Sequence, residues 1–196
     1  RYLVEATDLV IGYDTALTRP VTFKLERGKK MALKGVNGLG KTTLLKTILG
    51  LLPPFSGQVE PGEFVEPGYF EQEDREKNDK TALEDVWDAY PGLTNYQVRA
   101  ALAGCGLTNE HITSKVFVLS GGEAAKVRLC KLMLKEVNWL VLDEPTNHLD
   151  VDAKEELKRA LIDFKGSVLL VSHEPEFYQD WVDGVWNIED WTTKII

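Results

Sequence analysis

Residues Gly35 to Thr43 read Gly-Val-Asn-Gly-Leu-Gly-Lys-Thr-Thr, which fits G-x-x-x-x-G-K-[ST], the pattern of a loop that cradles the phosphates of a nucleotide triphosphate. The chemistry follows from the residue types. Gly35, Gly38 and Gly40 let the backbone turn tightly, so that successive N–H groups along Val36, Asn37, Leu39 and Thr43 can point into one concavity. Lys41 adds a mobile positive charge for the β- and γ-phosphates, and the Thr42 hydroxyl is placed to ligate Mg²⁺.

Two further stretches carry groups that suit phosphoryl transfer. Asp143 ends the apolar run Trp139-Leu140-Val141-Leu142 and can hold Mg²⁺, directly or through water. Glu144, the next residue, is a candidate to polarise an attacking water. His173, after Val168-Leu169-Leu170-Val171-Ser172, could contact the γ-phosphate and hold that water in line. Taken singly, each has a plainer reading: a structural histidine, a solvated acidic turn before Pro145, a surface glycine turn. Their order along the chain favours a shared site.

Groups so far apart in sequence need strands and helices to bring them together. Met31-Ala32-Leu33 predicts a buried strand before the phosphate loop, and Leu44, Leu45 and Ile48 fall at helical spacing after it. The helix N-terminus then adds its positive dipole end to the concavity. Trp139–Asp143 and Val168–Val171 read as buried parallel strands, and ligands of open parallel sheets bind outside the carboxyl ends of such strands. Asp150 is placed to cap a helix in which Ala153, Leu157, Ala160, Leu161 and Phe164 recur at helical spacing. Residues 1–28 alternate loosely and predict an antiparallel pair or meander, and residues 64–72 predict another strand. Helical spacing over residues 81–88, 95–103 and 109–114 predicts a small helical lobe, followed by a helix from Ser120 to about Lys135. The expected fold class is therefore α/β, with parallel central strands, an antiparallel N-terminal part and a helical lobe.

The 196 residues suffice for one domain with a sizeable core. With 23 basic and 31 acidic residues the net charge is −8, which gives no overall basic footprint for nucleic acid. Cys105 and Cys130 lack C-x-x-C spacing, so reduced thiols and a cytoplasmic location are expected. No apolar run is long enough for a membrane span, so no direct membrane insertion is expected. The chain opens at Arg1 without Met, which suggests a piece of something longer.

In order, Tyr13, Gly35–Thr43, Gln72, Leu119-Ser120-Gly121-Gly122-Glu123, Leu140–Glu144, Asp150 and Ser172-His173 resemble the motif set of an ABC-family ATPase domain. That resemblance implies a P-loop ABC fold made of a core lobe (1–72 and 136–196) and a helical lobe (73–135). It implies ATP and Mg²⁺ as cofactors, with ATP hydrolysis as the activity. Tyr13 would stack on adenine; Gln72 would serve catalysis and Mg²⁺ while coupling them to the helical lobe; Asp150 would lie at a dimer seam. Ser120, Gly121 and Gly122 would bind the ATP of a partner, a second ABC ATPase domain arranged head to tail. Glu123, the run Asp143-Glu144-Pro145-Thr146-Asn147-His148-Leu149-Asp150 and the compact spacing from Lys41 to Gln72 are similar to the second ATPase domain of ABC-F proteins, soluble tandem ATPases that act on ribosomes. The chain departs from that pattern with Thr42 for the commoner Ser and Glu174 for the usual Asp. The resemblance implies a ribosome partner reached through regions outside this chain. The rival implication is a nucleotide-binding subunit of a membrane transporter. A chromosome or repair ATPase would need a long coiled-coil insertion, which the sequence does not contain.

Overall fold

The computed structural model describes residues 1–71 and 77–193. Its elements run β1 (Tyr2–Val10), β2 (Val21–Glu26), β3 (Lys30–Lys34), α1 (Lys41–Ile48), β4 (Ser56–Pro61), β5 (Pro67–Phe70), α2 (Ala82–Ala89), α3 (Asn95–Gly104), α4 (Asn109–Thr113), α5 (Gly121–Met133), β6 (Trp139–Asp143), α6 (Val151–Asp163), β7 (Ser167–Val171), α7 (Pro175–Tyr178) and β8 (Gly184–Asn187). The strands divide into two sheets by direction. One is antiparallel, in the order β2-β1-β4; the other is parallel, in the order β5-β6-β7-β3-β8.

Alternation along the central strands divides the core. Trp139 and Val141 of β6, with Leu169 and Val171 of β7, face the antiparallel sheet and α1, where they meet Leu3, Leu9, Leu44, Leu45 and Ile48. Leu140, Leu142, Val168 and Leu170 point the other way, against Leu157 and Leu161 of α6 and Phe177 and Tyr178 of α7. A third apolar cluster joins α2 to α5 through Val86, Val98, Leu102, Ile112 and Val127. Each of these helices starts at a side-chain cap: Thr81, Thr94, Thr108 and Ser120 accept from the backbone N–H three residues on. At the last three, the third helical residue returns a bond to the cap and completes a capping box.

The strand expected over 64–72 is shorter, Pro67–Phe70. Asn138 accounts for the late start: its Oδ1 accepts from the Glu66 N–H and its Nδ2 donates to the Phe64 carbonyl, fixing those residues in a turn with Phe64 at φ 54. Gln72, expected at the site, lies outside the described residues. The meander expected at the N-terminus gains β4 as a third strand, paired with β1 from about fifty residues away.

Leu45 is wholly buried where α1 meets both sheets, so Leu45→Ala should cost about 2–5 kcal/mol, read as a lowered urea midpoint with an unchanged slope.

Candidate nucleotide site

Strands β6, β7 and β3 are neighbours in the parallel sheet, so their carboxyl ends lie side by side. The phosphate loop follows β3, Asp143-Glu144 closes β6 and Ser172-His173 follows β7. The sheet therefore brings together the three groups expected from the sequence.

In the loop, Gly35, Gly38 and Gly40 take φ of 142°, 84° and 98°, a range that side chains rarely adopt. A Cβ on Gly40 would also come 3.1 Å from Leu17 and 3.2 Å from Ile11, so the turn after β1 packs directly on the loop. That turn carries Tyr13, which is 61% exposed. Lys41 is buried, and its Nζ donates to the Gly35 carbonyl within the loop it serves. Leu17, Asn37, Gly38, Gly40, Lys41, Thr42, Thr43, Asp143 and Glu144 line an open cleft of about 380 Å³.

The alternation that sorts the core also sorts the acids. Asp143 shares the face of Trp139 and Val141, toward α1, and its Oδ2 accepts from the Thr42 hydroxyl at 2.6 Å. Only 2% of Asp143 is exposed, and burial raises its carboxyl above the ordinary carboxylate value despite the Thr42 bond and the Lys41 charge. Glu144 breaks the alternation at φ 49, while its backbone N–H stays on the Val171 carbonyl at 2.9 Å. Its Oε2 accepts from His173 Nδ1 at 2.8 Å. Its Oε1 is buried with no hydrogen-bond partner among the described residues, an uncompensated oxygen in a residue only 8% exposed. The His173 side chain is 55% exposed.

These groups fit a phosphate chain with its metal. Lys41 keeps donors beyond the Gly35 bond, the Thr42–Asp143 pair offers hard oxygens, and an acceptor oxygen waits on Glu144. Among the described residues no cluster of three or more His, Cys, Asp or Glu could hold a metal by itself. A metal here would thus depend on the ligand's own oxygens.

Ser120, Gly121 and Gly122 are not among the residues that line this cleft. They start α5, with Ser120 and Glu123 exchanging bonds at 3.2 Å. A Cβ on Gly121 would meet the His148 carbonyl oxygen at 2.1 Å, and one on Gly122 the Ala153 Cβ at 2.7 Å. The loop is pressed against the turn that leads into α6. Asp150 caps that helix as expected, its Oδ1 accepting from the Ala153 N–H at 2.8 Å.

The partners of two acids could not be read from the sequence, although Glu174 stands out there as a departure from the usual Asp. Glu189 Oε1 accepts from the Val36 N–H at 3.3 Å, and Glu174 bonds both Thr146 and Lys154. Both depend on tertiary placement, although the position of Glu174 directly after His173 marks it for inspection.

A family profile described as ABC transporter matches residues 18–147. The chain is 61% identical over 196 residues to the "Uncharacterized ABC transporter ATP-binding protein YfmM" of Bacillus subtilis, covering all of this chain and 38% of that protein. It is 42% identical over 194 residues to "ABC transporter F family member 2" of Arabidopsis thaliana, covering 97% of this chain and 29% of that protein. This chain therefore spans well under half the length of these relatives. Among solved structures, one described as a dimeric post-hydrolysis state of the ATP-binding cassette MJ0796 bound to ADP and Pi matches 94% of this chain and 93% of its own, with a TM-score of 0.78 at 20% identity. That likeness concerns the fold.

Gly121 and Gly104 separate packing from backbone freedom. Gly121→Ala should destabilise by about 1–3 kcal/mol because the His148 carbonyl must move. Gly104→Ala, with open space around it at the end of α3, should stabilise by about 0.5–1 kcal/mol. Denaturant melts of the two variants give the comparison.

Proposed function

This chain belongs to the ABC transporter family, and from that premise we propose that it is an Mg-ATP-binding ATPase domain that hydrolyses ATP between itself and a second such domain. The convergence of Lys41, the Thr42–Asp143 pair and the Glu144–His173 pair on one set of strand ends carries the reading. We assign residues 1–72 and 136–196 to a core lobe and 73–135 to a helical lobe.

Bound Mg-ATP supplies the phosphoryl group and the ion that neutralises its charge. The chain's residues do the positioning. Lys41 exchanges its bond to Gly35 for phosphate oxygens, and the loop amides between Gly35 and Thr43 hold the same anion. Thr42 and Asp143 would hold the metal; the cost of keeping Asp143 charged while buried would fall with a cation beside it. Glu144 Oε1 accepts the proton of the attacking water, while Oε2 is kept in place by His173 Nδ1. With Nδ1 so engaged, Nε2 of His173 remains for the γ-phosphate or the water. Tyr13, exposed beside the loop, offers a stacking face for adenine. Gln72 is assigned to the metal and to coupling with the helical lobe from the resemblance alone.

Ser120, Gly121 and Gly122 act on the nucleotide of the second domain. Their position outside the cleft that holds Lys41 supports this, as do the N–H groups at the start of α5. The likeness to F family members favours a cytoplasmic ABC-F parent that works on the ribosome through other regions. The second reading is a subunit that energises a membrane transporter, as the descriptions of other relatives allow. No helix among the described residues is long and apolar enough to cross a membrane.

Glu144→Gln removes the base but preserves the shape of the site. It should leave ATP binding within about twofold of the parent and reduce turnover by about a hundredfold or more, trapping an ATP-bound dimer. Lys41→Met should instead abolish ATP binding. Nucleotide titration, turnover assays and light scattering read these outcomes, and unchanged turnover in Glu144→Gln would remove it from the base role. ATP-dependent sedimentation of the trapped variant with ribosomes would support the ABC-F reading, and retention in membranes would favour the transporter.

A further inference from the structure

Lys154 lies in the first turn of α6, where the helix end carries positive partial charge and a lysine has the wrong sign. Its contacts account for its place. Nζ donates to Glu174 Oε1 at 2.7 Å, and Glu174 Oε2 accepts from the hydroxyl of buried Thr146. The Glu174 N–H donates in turn to Ser172 Oγ at 3.1 Å. Burial would raise the Glu174 carboxyl, yet the bonds from Lys154 and Thr146 bring it below its ordinary value. Glu174 is therefore held as a carboxylate between three elements: α6, the turn after β6 and the segment after β7.

This network surrounds the reacting pair without touching it. Thr146 is two residues beyond Glu144, and Ser172 and Glu174 flank His173. The Lys154 backbone N–H donates to the Asp150 carbonyl at 3.0 Å, so one residue grips Asp150 through its backbone and Glu174 through its side chain. A shift at the start of α6 must move Lys154 and stretch its bond to Glu174. It would then displace the segment on which His173 sits 2.8 Å from Glu144.

We propose that Lys154, Glu174 and Thr146 are positioning residues that hold His173 against Glu144 and link that pair to Asp150 at the start of α6. The proposal rests on the assignment of Glu144 and His173 to hydrolysis. It differs from a simple clip between α6 and the 172–175 segment in acting on turnover and not on nucleotide affinity.

The test uses the whole protein that carries this sequence, with variants Lys154→Met, Lys154→Arg, Glu174→Gln and the double Lys154→Met/Glu174→Gln. Four quantities are read: kcat, KM for ATP, Kd for a fluorescent ATP analogue, and hydrogen exchange over 172–175 without nucleotide. Lys154→Met and Glu174→Gln should each lower kcat about ten- to a hundredfold, the scale of a misplaced catalytic group, with KM and Kd within about twofold. Exchange over 172–175 should rise in both. Lys154→Arg should restore most of the turnover, and the double variant should be no slower than the slower single one. An unchanged kcat, an equal loss in ATP affinity, or losses that multiply in the double variant would overturn the proposal. If Lys154→Met does not fold, Glu174→Gln and Lys154→Arg decide the matter by the same criteria. Glu144→Gln, measured alongside, separates the two levels. Full turnover in that variant sinks the hydrolysis assignment and the brace with it; lost turnover there, beside unaltered turnover in Lys154→Met, sinks only the brace.

Discussion

The parallel register of β3, β7 and β6 is the constraint on which the site depends. Leu33 pairs with Val171, and Val171 with Asp143, so the carboxyl ends of three strands stand level to within one residue. The chemistry-bearing groups follow at once: the phosphate loop, the acids and the histidine. No group is placed by a long loop that would have to be ordered at its own entropic cost. Alternation then does the finer sorting. Asp143 continues the face that packs on α1 and meets Thr42, the second residue of that helix. Glu144 leaves the strand at φ 49 and meets His173 across β7. One residue of displacement along β6 would exchange the two carboxylates and undo both contacts.

The site also holds free energy that the rest of the fold must offset. Asp143 is buried with its carboxyl pushed up, Glu144 takes a left-handed backbone, and one Glu144 oxygen has no partner among the described residues. A strained residue of this kind costs about 1–3 kcal/mol, and an unmet buried acceptor a similar amount. The two apolar layers on either side of β6 and β7, closed by Leu44 and Leu45 on one face and Leu157 and Leu161 on the other, supply the compensation. The arrangement suits groups meant for a cation and a polyphosphate, because a metal would lower the penalty at Asp143 and a water would supply the contact missing at Glu144.

How much was legible in the sequence depends on how local the cause was. The phosphate loop, the helix behind it, the buried strands and the Asp150 cap arise from neighbours within a few residues and could be read directly. Extended structure at Ser56–Val59 was legible, but its partner was not, because the pairing of β4 with β1 spans about fifty residues. The late start of β5 was hidden for the same reason: Asn138, more than seventy positions away, supplies the side chain that holds residues 64–66 in a turn. Glu189 on the Val36 amide and Glu174 between Thr146 and Lys154 are tertiary contacts; Glu174 stood out in the sequence as a departure from the usual Asp, but its partners did not.

The glycines of the Ser120-Gly121-Gly122 loop are constrained by packing as well as by motif. A motif reading gives them one task, exposing amides to a partner's phosphate. The structure adds a second, since any side chain at Gly121 would strike the carbonyl of His148 and any at Gly122 would strike Ala153. His148 stands at φ 64 in the turn that begins with Glu144, and Ala153 donates its N–H to Asp150. The loop thus rests on the turn between Glu144 and the helix capped by Asp150. Because close-packed backbone transmits strain, a displacement of this loop would press on the turn that carries Glu144. The helix that begins at Asp150 carries Lys154, so both routes meet at the start of α6.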